Sequence, residues 1–320
     1  MKRILLVRLS SLGDVLHTFP AATDLRHALP DAVLDWAVEE AYVPLVRMHP
    51  GVTRALPFAL RRWRGEWYRP RAWRELAAFA SALREQPYDA ILDTQGLLKS
   101  ALVAKLARGP VHGFGPGTAR ERLAARLYDA TSEFAPADHK IARYRAVAAR
   151  ALGYTPRPAV DYGIVAPPAP AFAPRPPYCV LLHATARAAK LWSEPAWVEL
   201  ARALEARGVV CVLPWGADEE RARSARLAAA LSRAVVPPRL SLEDAAGLIG
   251  HAAAVIGVDT GLMHLAAALA VPVVGVFCDS EPLDARPLGA GRAAYRGGVG
   301  APPTAAAVLD ALREVAPGLA

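Results

Sequence analysis

Two aspartates, Asp14 and Asp259, each follow an apolar run, open a helical pattern and lie within two residues of a glycine. A carboxylate at such a junction has two uses. It can cap the helix by accepting from free backbone N–H groups, or, in the case of Asp14, it can act as a general base towards a hydroxyl at the mouth of the strand. The uses compete, because a carboxylate saturated by N–H donors is a weak base. For Asp14, in Ser10-Ser11-Leu12-Gly13-Asp14, both readings stand, and Gly13 lets a ligand come close to the backbone. Asp259-Thr260-Gly261 forms a helix start whose N–H groups and dipole suit an anion such as a diphosphate. His264, one turn further, faces either a ligand or the sheet. Lys190, in a loop after a strand, reaches a phosphate or is simply solvated. The carboxylates of Asp218, Glu219 and Glu220, also after a strand, accept ribose hydroxyls or serve as first-turn helix acids.

Other chemistry is missing from the sequence. No Gly-x-Gly-x-x-Gly follows a strand and there is no phosphate-loop lysine motif, which argues against dinucleotide oxidoreductases and nucleotide hydrolases. No Asp-x-Asp occurs, so metal held by such a pair is not expected; diphosphate charge then falls to Lys190 and helix N-termini. Residues 61–74 combine six arginines with four aromatics. This stretch resembles no core element and suits a phosphorylated lipid or an anionic membrane face, with a solvated loop as the plain alternative.

These residues need elements to hold them. Apolar runs at 3–9, 33–38 and 88–93 predict strands, and 15–29 and 73–86 read as helices. Residues 153–177 are rich in Pro and Ala and cannot supply the donors of regular structure. Beyond them the alternation returns: strands at 178–183, 209–214, 254–258 and 271–277, and helices at 194–207, 219–232, 242–251, 262–270 and about 304–315. Strands alternating with helices mean parallel sheets with helices on their faces, an α/β class. The expected organisation is an N-terminal domain over 1–155, a linker over 156–177 and a C-terminal domain over 178–320, the last helix packing on either domain.

The length of 320 residues and 53% hydrophobic content suffice for two cores. No apolar run approaches the ~20 residues that cross a bilayer, and Arg8 breaks the N-terminal run before it can be a signal segment. Cys179, Cys211 and Cys278, each inside an apolar run, fit a reducing cytoplasm and neither a metal site nor a disulfide framework. Residues 1–150 hold 23 Lys/Arg against 15 Asp/Glu, whereas the rest are balanced at 15 and 15. The first half therefore meets an anionic partner. No nucleic-acid module accompanies its basic stretch.

Residues 10–18, 61–64, 93–101, 183–185, 214–217 and 258–264, spread over nearly the whole chain, together resemble the ADP-heptose transferase family, glycosyltransferase family 9. Within that family, 10–18 and 61–64 are most similar to members that add the first heptose of lipopolysaccharide. The resemblance implies a GT-B fold, two Rossmann-like doubly wound domains facing across a cleft, and inverting transfer from ADP-heptose to the Kdo region of Kdo2-lipid A. It implies Asp14 as the base. Thr185, Lys190, Glu220, Asp259, Thr260, Gly261 and His264 fall in the donor site; Gly13, Arg61, Arg62, Arg64, Lys99 and Arg120 fall on the acceptor side. No metal or cofactor is implied, and the membrane contact would be peripheral, at the cytoplasmic face of the inner membrane. A later core sugar as acceptor, or a membrane-associated nucleotide binder without catalysis, remain as alternatives. Two departures from the family pattern are Ala186 after Thr185, and residues 277–282 without the usual Gly-Pro-Thr/Ser character.

Overall fold

A computed structural model of the chain describes residues 1–135, 138–185, 187–279 and 292–319. The chain divides into two compact units, Met1–Ile164 and Val165–Ala320.

The first unit is built on six strands: β1 (Arg3–Val7), β2 (Val33–Glu39), β3 (Arg54–Phe58), β4 (Ala90–Asp93), β5 (Val111–Phe114) and β6 (Ala130–Ser132). Their order is β3-β2-β1-β4-β5-β6, and every pairing is parallel. Central parallel strands are covered on both faces, so they read as unbroken apolar runs. Ile4, Leu5, Leu6 and Val7 of β1 are accordingly fully buried, each contributing roughly 1.5–3 kcal/mol. The first helix, Leu12–Ala28, has Ser11 at its N-cap and starts before the periodic pattern does.

The basic stretch departs from expectation. Residues 61–65 and 70–74 fall within two helices, Leu60–Gly65 and Pro70–Arg84, joined by a turn at 66–69, and Trp63, Ala72 and Phe79 are buried in the same core as Phe58. Trp63 meets Phe58 edge-on at 5.4 Å. One face of the stretch is therefore core, and the arginines lie on the other.

The second unit holds β7 (Tyr178–Leu182), β8 (Val210–Val212), β9 (Ala254–Val258), β10 (Val273–Phe277) and β11 (Ala293–Gly297). They are parallel in the order β11-β10-β9-β7-β8. The final helix, Ala305–Val315, buries Val308, Ala311, Leu312 and Val315 in this unit's core beside Trp197. Residues 154–177 contain no helix or strand, yet they pack. Tyr162 is buried, the Arg157 and Ala159 carbonyls accept from Arg145, and Pro168 O crosses so close to Gly247 that a Cβ there would lie 2.4 Å from it.

All three cysteines are free and buried. Burial pushes the Cys179 thiol up to about 12 and raises Cys211 and Cys278 as well. No helix among the described residues is long and apolar enough to cross a membrane.

Candidate active site

Ligands of open α/β sheets bind beyond the carboxyl ends of the strands, where the strand order reverses. In the first sheet that point lies between β1 and β4. The chain leaving β1 carries Arg8, Ser10 and Asp14, and the chain leaving β4 carries Thr94 and Gln95. Gln95 Oε1 accepts from Leu9 N at 2.7 Å, tying the two exits together. Asp93 is fully buried and accepts from Gln95 N (2.7 Å), Gly96 N (3.3 Å), Ser100 Oγ (2.8 Å) and Tyr128 OH (2.8 Å). Burial raises its pKa, and those donors pull it back. It shapes the loop. Gly96 takes φ +69°, and a Cβ there would press on Phe114 at 3.0 Å and on Arg120 N at 3.3 Å, so the turn that delivers Arg120 requires glycine.

Asp14 stands in the first turn of helix Leu12–Ala28, not at its cap. Its Oδ2 accepts from Ser11 Oγ and its Oδ1 from Tyr144 OH, each at 3.4 Å, and Lys140 Nζ lies 3.7 Å from Oδ1. No backbone N–H is among these partners, so the capping alternative is set aside for this carboxylate. A pocket of about 240 Å³ opens beside it, lined by Arg8, Arg120, Lys140, Arg143 and Tyr144 among others. Four cations thus surround one carboxylate, an arrangement that draws in an anionic ligand and offers it a base.

Arg120 lines this pocket; Gly13 directly precedes Asp14, and Lys99 donates to Ser10 Oγ at 3.4 Å. The arginines after β3 lie elsewhere. Arg61 and Arg64 are exposed on helix Leu60–Gly65. Arg62 grips Glu40 through Nε (3.1 Å) and Nη2 (2.9 Å) and Glu75 through Nη1 (2.6 Å). Glu75 also accepts from Trp63 Nε1 at 2.9 Å, and these donors hold its carboxyl at about 2. Arg62 is therefore committed to the protein itself.

In the second sheet the order reverses between β7 and β9, and a pocket of about 420 Å³ lies there. Thr185, Glu220 and Thr260 line it, with Trp215, Ser241 and apolar Leu240, Leu242 and Ala245. Thr260 is the N-cap of helix Gly261–Ala268 and makes no side-chain cap bond, while Thr185 Oγ1 donates to Asp259 O at 3.0 Å. The Lys190 ammonium forms an ion pair with the Asp259 carboxylate. Glu220 Oε2 accepts from Gly216 N (2.7 Å) and Ala217 N (3.2 Å), fixing the turn after β8. His264 is buried within its helix. Ala186 and, of residues 277–282, Ser280, Glu281 and Pro282 lie outside the described residues.

Sequence reasoning did not single out Arg8, Lys140, Arg143 or Tyr144 as site residues. Arg8 does carry a signal, a cation ending a wholly apolar strand. The other three come from helix Lys140–Leu152 and its start, which bear no motif.

Two parallel, doubly wound sheets, each with a polar crevice at its reversal, are the architecture of a GT-B glycosyltransferase. The E. coli heptosyltransferase WaaC with ADP superposes with a TM-score of 0.90 at 39% identity, over 98% of this chain and 100% of that one. The same enzyme with ADP-2-deoxy-2-fluoro heptose gives 0.85 at 38% identity, over 98% and 99%. Residues 76–306 match the model of glycosyltransferase family 9 (heptosyltransferase). Lipopolysaccharide heptosyltransferase 1 of Salmonella typhimurium is 43% identical over 287 residues, 88% of this chain and 89% of its own. The chain belongs to glycosyltransferase family 9.

Proposed function

We propose that this glycosyltransferase moves L-glycero-D-manno-heptose from ADP-heptose to the Kdo region of Kdo2-lipid A, inverting the anomeric centre, in lipopolysaccharide inner-core synthesis. The observation that carries the reading is a single carboxylate, Asp14, inside a pocket lined by Arg8, Arg120, Lys140 and Arg143. An acidic sugar would be held there by its charge and presented to a base.

In this mechanism Asp14 takes the proton of the acceptor hydroxyl as its oxygen attacks the anomeric carbon. The bond from that carbon to the diphosphate oxygen breaks, and ADP leaves. Lys190, Thr185 and the N–H groups at Thr260 and Gly261 receive the diphosphate. Asp259 holds Lys190 in place, Glu220 takes the ribose, the apolar wall around Leu240 and Leu242 takes the base, and His264 lies on the heptose side. Gly13, Lys99 and Arg120 serve the acceptor, and Arg61 and Arg64 its phosphates, with Arg62 bracing that helix. Trp67, Tyr68 and Trp73, each at least 60% exposed, sit among arginines and suit reversible contact with the anionic cytoplasmic face of the inner membrane.

The test is ADP release from ADP-heptose under excess chelator, with and without Kdo2-lipid A. Release that needs the acceptor and survives chelation is expected. Asp14→Asn should cut turnover by at least about 10²-fold while ADP binding persists. Acceptor-independent release, or near-normal turnover in that variant, would remove the mechanism.

A further inference from the structure

Asp14 is approached from a second helix. Lys140–Leu152 packs along Leu12–Ala28, and its placement is fixed by a buried two-point ion pair, with Arg145 Nε donating to Asp24 Oδ2 at 2.6 Å and Nη2 to Oδ1 at 3.0 Å. Next to Arg145, Tyr144 turns its ring onto Arg8, whose guanidinium carbon sits 4.2 Å from the ring centroid. Arg8 is itself 2% exposed and donates to Thr94 O. The ring is thus clamped between β1 and its own helix. Its hydroxyl points at Asp14 Oδ1 from 3.4 Å, a distance that hydrogen bonds of an unliganded site often show before tightening in the reacting complex.

We propose that Tyr144 is a positioning residue for Asp14: clamped on Arg8, it donates its hydroxyl to Oδ1, holding the carboxylate in one rotamer and leaving Oδ2 to take the acceptor proton. The inference rests on the reading of Asp14 as the base. Burial keeps the phenol protonated, its pKa above that of an ordinary tyrosine, so it remains a donor throughout the working range. Ser11 Oγ donates to Oδ2 at 3.4 Å, and a serine hydroxyl can rotate away to make room for substrate. The other charged and titratable groups around the pair are Arg8, Arg120, Lys140 and Arg143, which line the pocket, and His17 and His139, whose rings meet at 5.8 Å. No second carboxylate lines the pocket among the described residues. Tyr144 is thus the neutral donor that fixes direction, where the cations supply field.

The test is Tyr144→Phe, which keeps the ring on Arg8 and removes only the donor. Its steady-state rates, from about pH 5 to about pH 9, are compared with those of the parent and of Asp14→Asn. A hydrogen bond donated to a carboxylate favours its charged form. The expected result is a kcat lowered about 3- to 10-fold, an unchanged KM for ADP-heptose, and an acid limb of kcat/KM moved up by about half a unit or more. A purely structural role would lower the thermal midpoint without moving the limb. An inert Asp14→Asn with a Tyr144→Phe profile like the parent's overturns the role of Tyr144 and leaves the base standing. An active Asp14→Asn overturns both.

Discussion

At the scale of single residues, the donor side on the proposed reading turns on one ammonium. Lys190 is mostly buried and already paired with Asp259, so its position is set before any diphosphate arrives. On the proposed reading, Lys190→Met removes a charge-assisted contact and weakens ADP binding about 10- to 100-fold, as a calorimetric titration would measure. Unchanged affinity would take Lys190 out of the diphosphate site. The sequence brought Lys190, Asp259 and Thr260 to attention because loops after apolar strands are where such residues act. It could not separate Arg62 from Arg61 and Arg64. Adjacent arginines look alike in a string, and only the fold brings Glu40 and Glu75 to one of them.

At the scale of elements, buried parallel strands announce themselves as apolar runs, and the central strands of both sheets were legible for that reason. Edges were not. The strand β11 carries Arg296 and is only partly buried, and it lacks the unbroken apolar run. Helix starts were misread where polar residues precede the periodic stretch, which moved Asp14 from the cap into the first turn. The crevice next to it depends on a helix some 130 residues away, a relation that no local pattern encodes. What joins those two helices is the Asp24–Arg145 pair, both side chains at or below 8% exposure. Breaking one partner leaves a buried charge uncompensated, at a cost of about 3–5 kcal/mol. Asp24→Ala should therefore shift the urea midpoint down markedly, and a midpoint that stays put would mean that the pair is not structural.

At the scale of the whole molecule, each unit contains a neutral, buried histidine. His49 accepts from Gly51 N at 3.0 Å in the first unit, and His183 Nε2 meets Ser224 Oγ at 2.8 Å in the second. Burial lowers the pKa of each to about 4. In the unfolded chain both would titrate near 6.5. Above that pH neither state is protonated and nothing is lost; as pH falls from about 6.5 towards 4 only the unfolded chain gains protons, so stability declines, by up to about 3 kcal/mol for each histidine. Thermal midpoints between about pH 7 and about pH 4 should fall together for the two units, and His49→Gln should flatten the decline of the first. The cysteines have the opposite meaning for the experimenter. With every native cysteine sealed in a core and held in its thiol form, maleimide reagents find nothing to attack at neutral pH. The natural chain is therefore a silent background for labelling: one cysteine introduced in place of exposed Trp67 would carry the only dye, and its colour would report the moment that face leaves water.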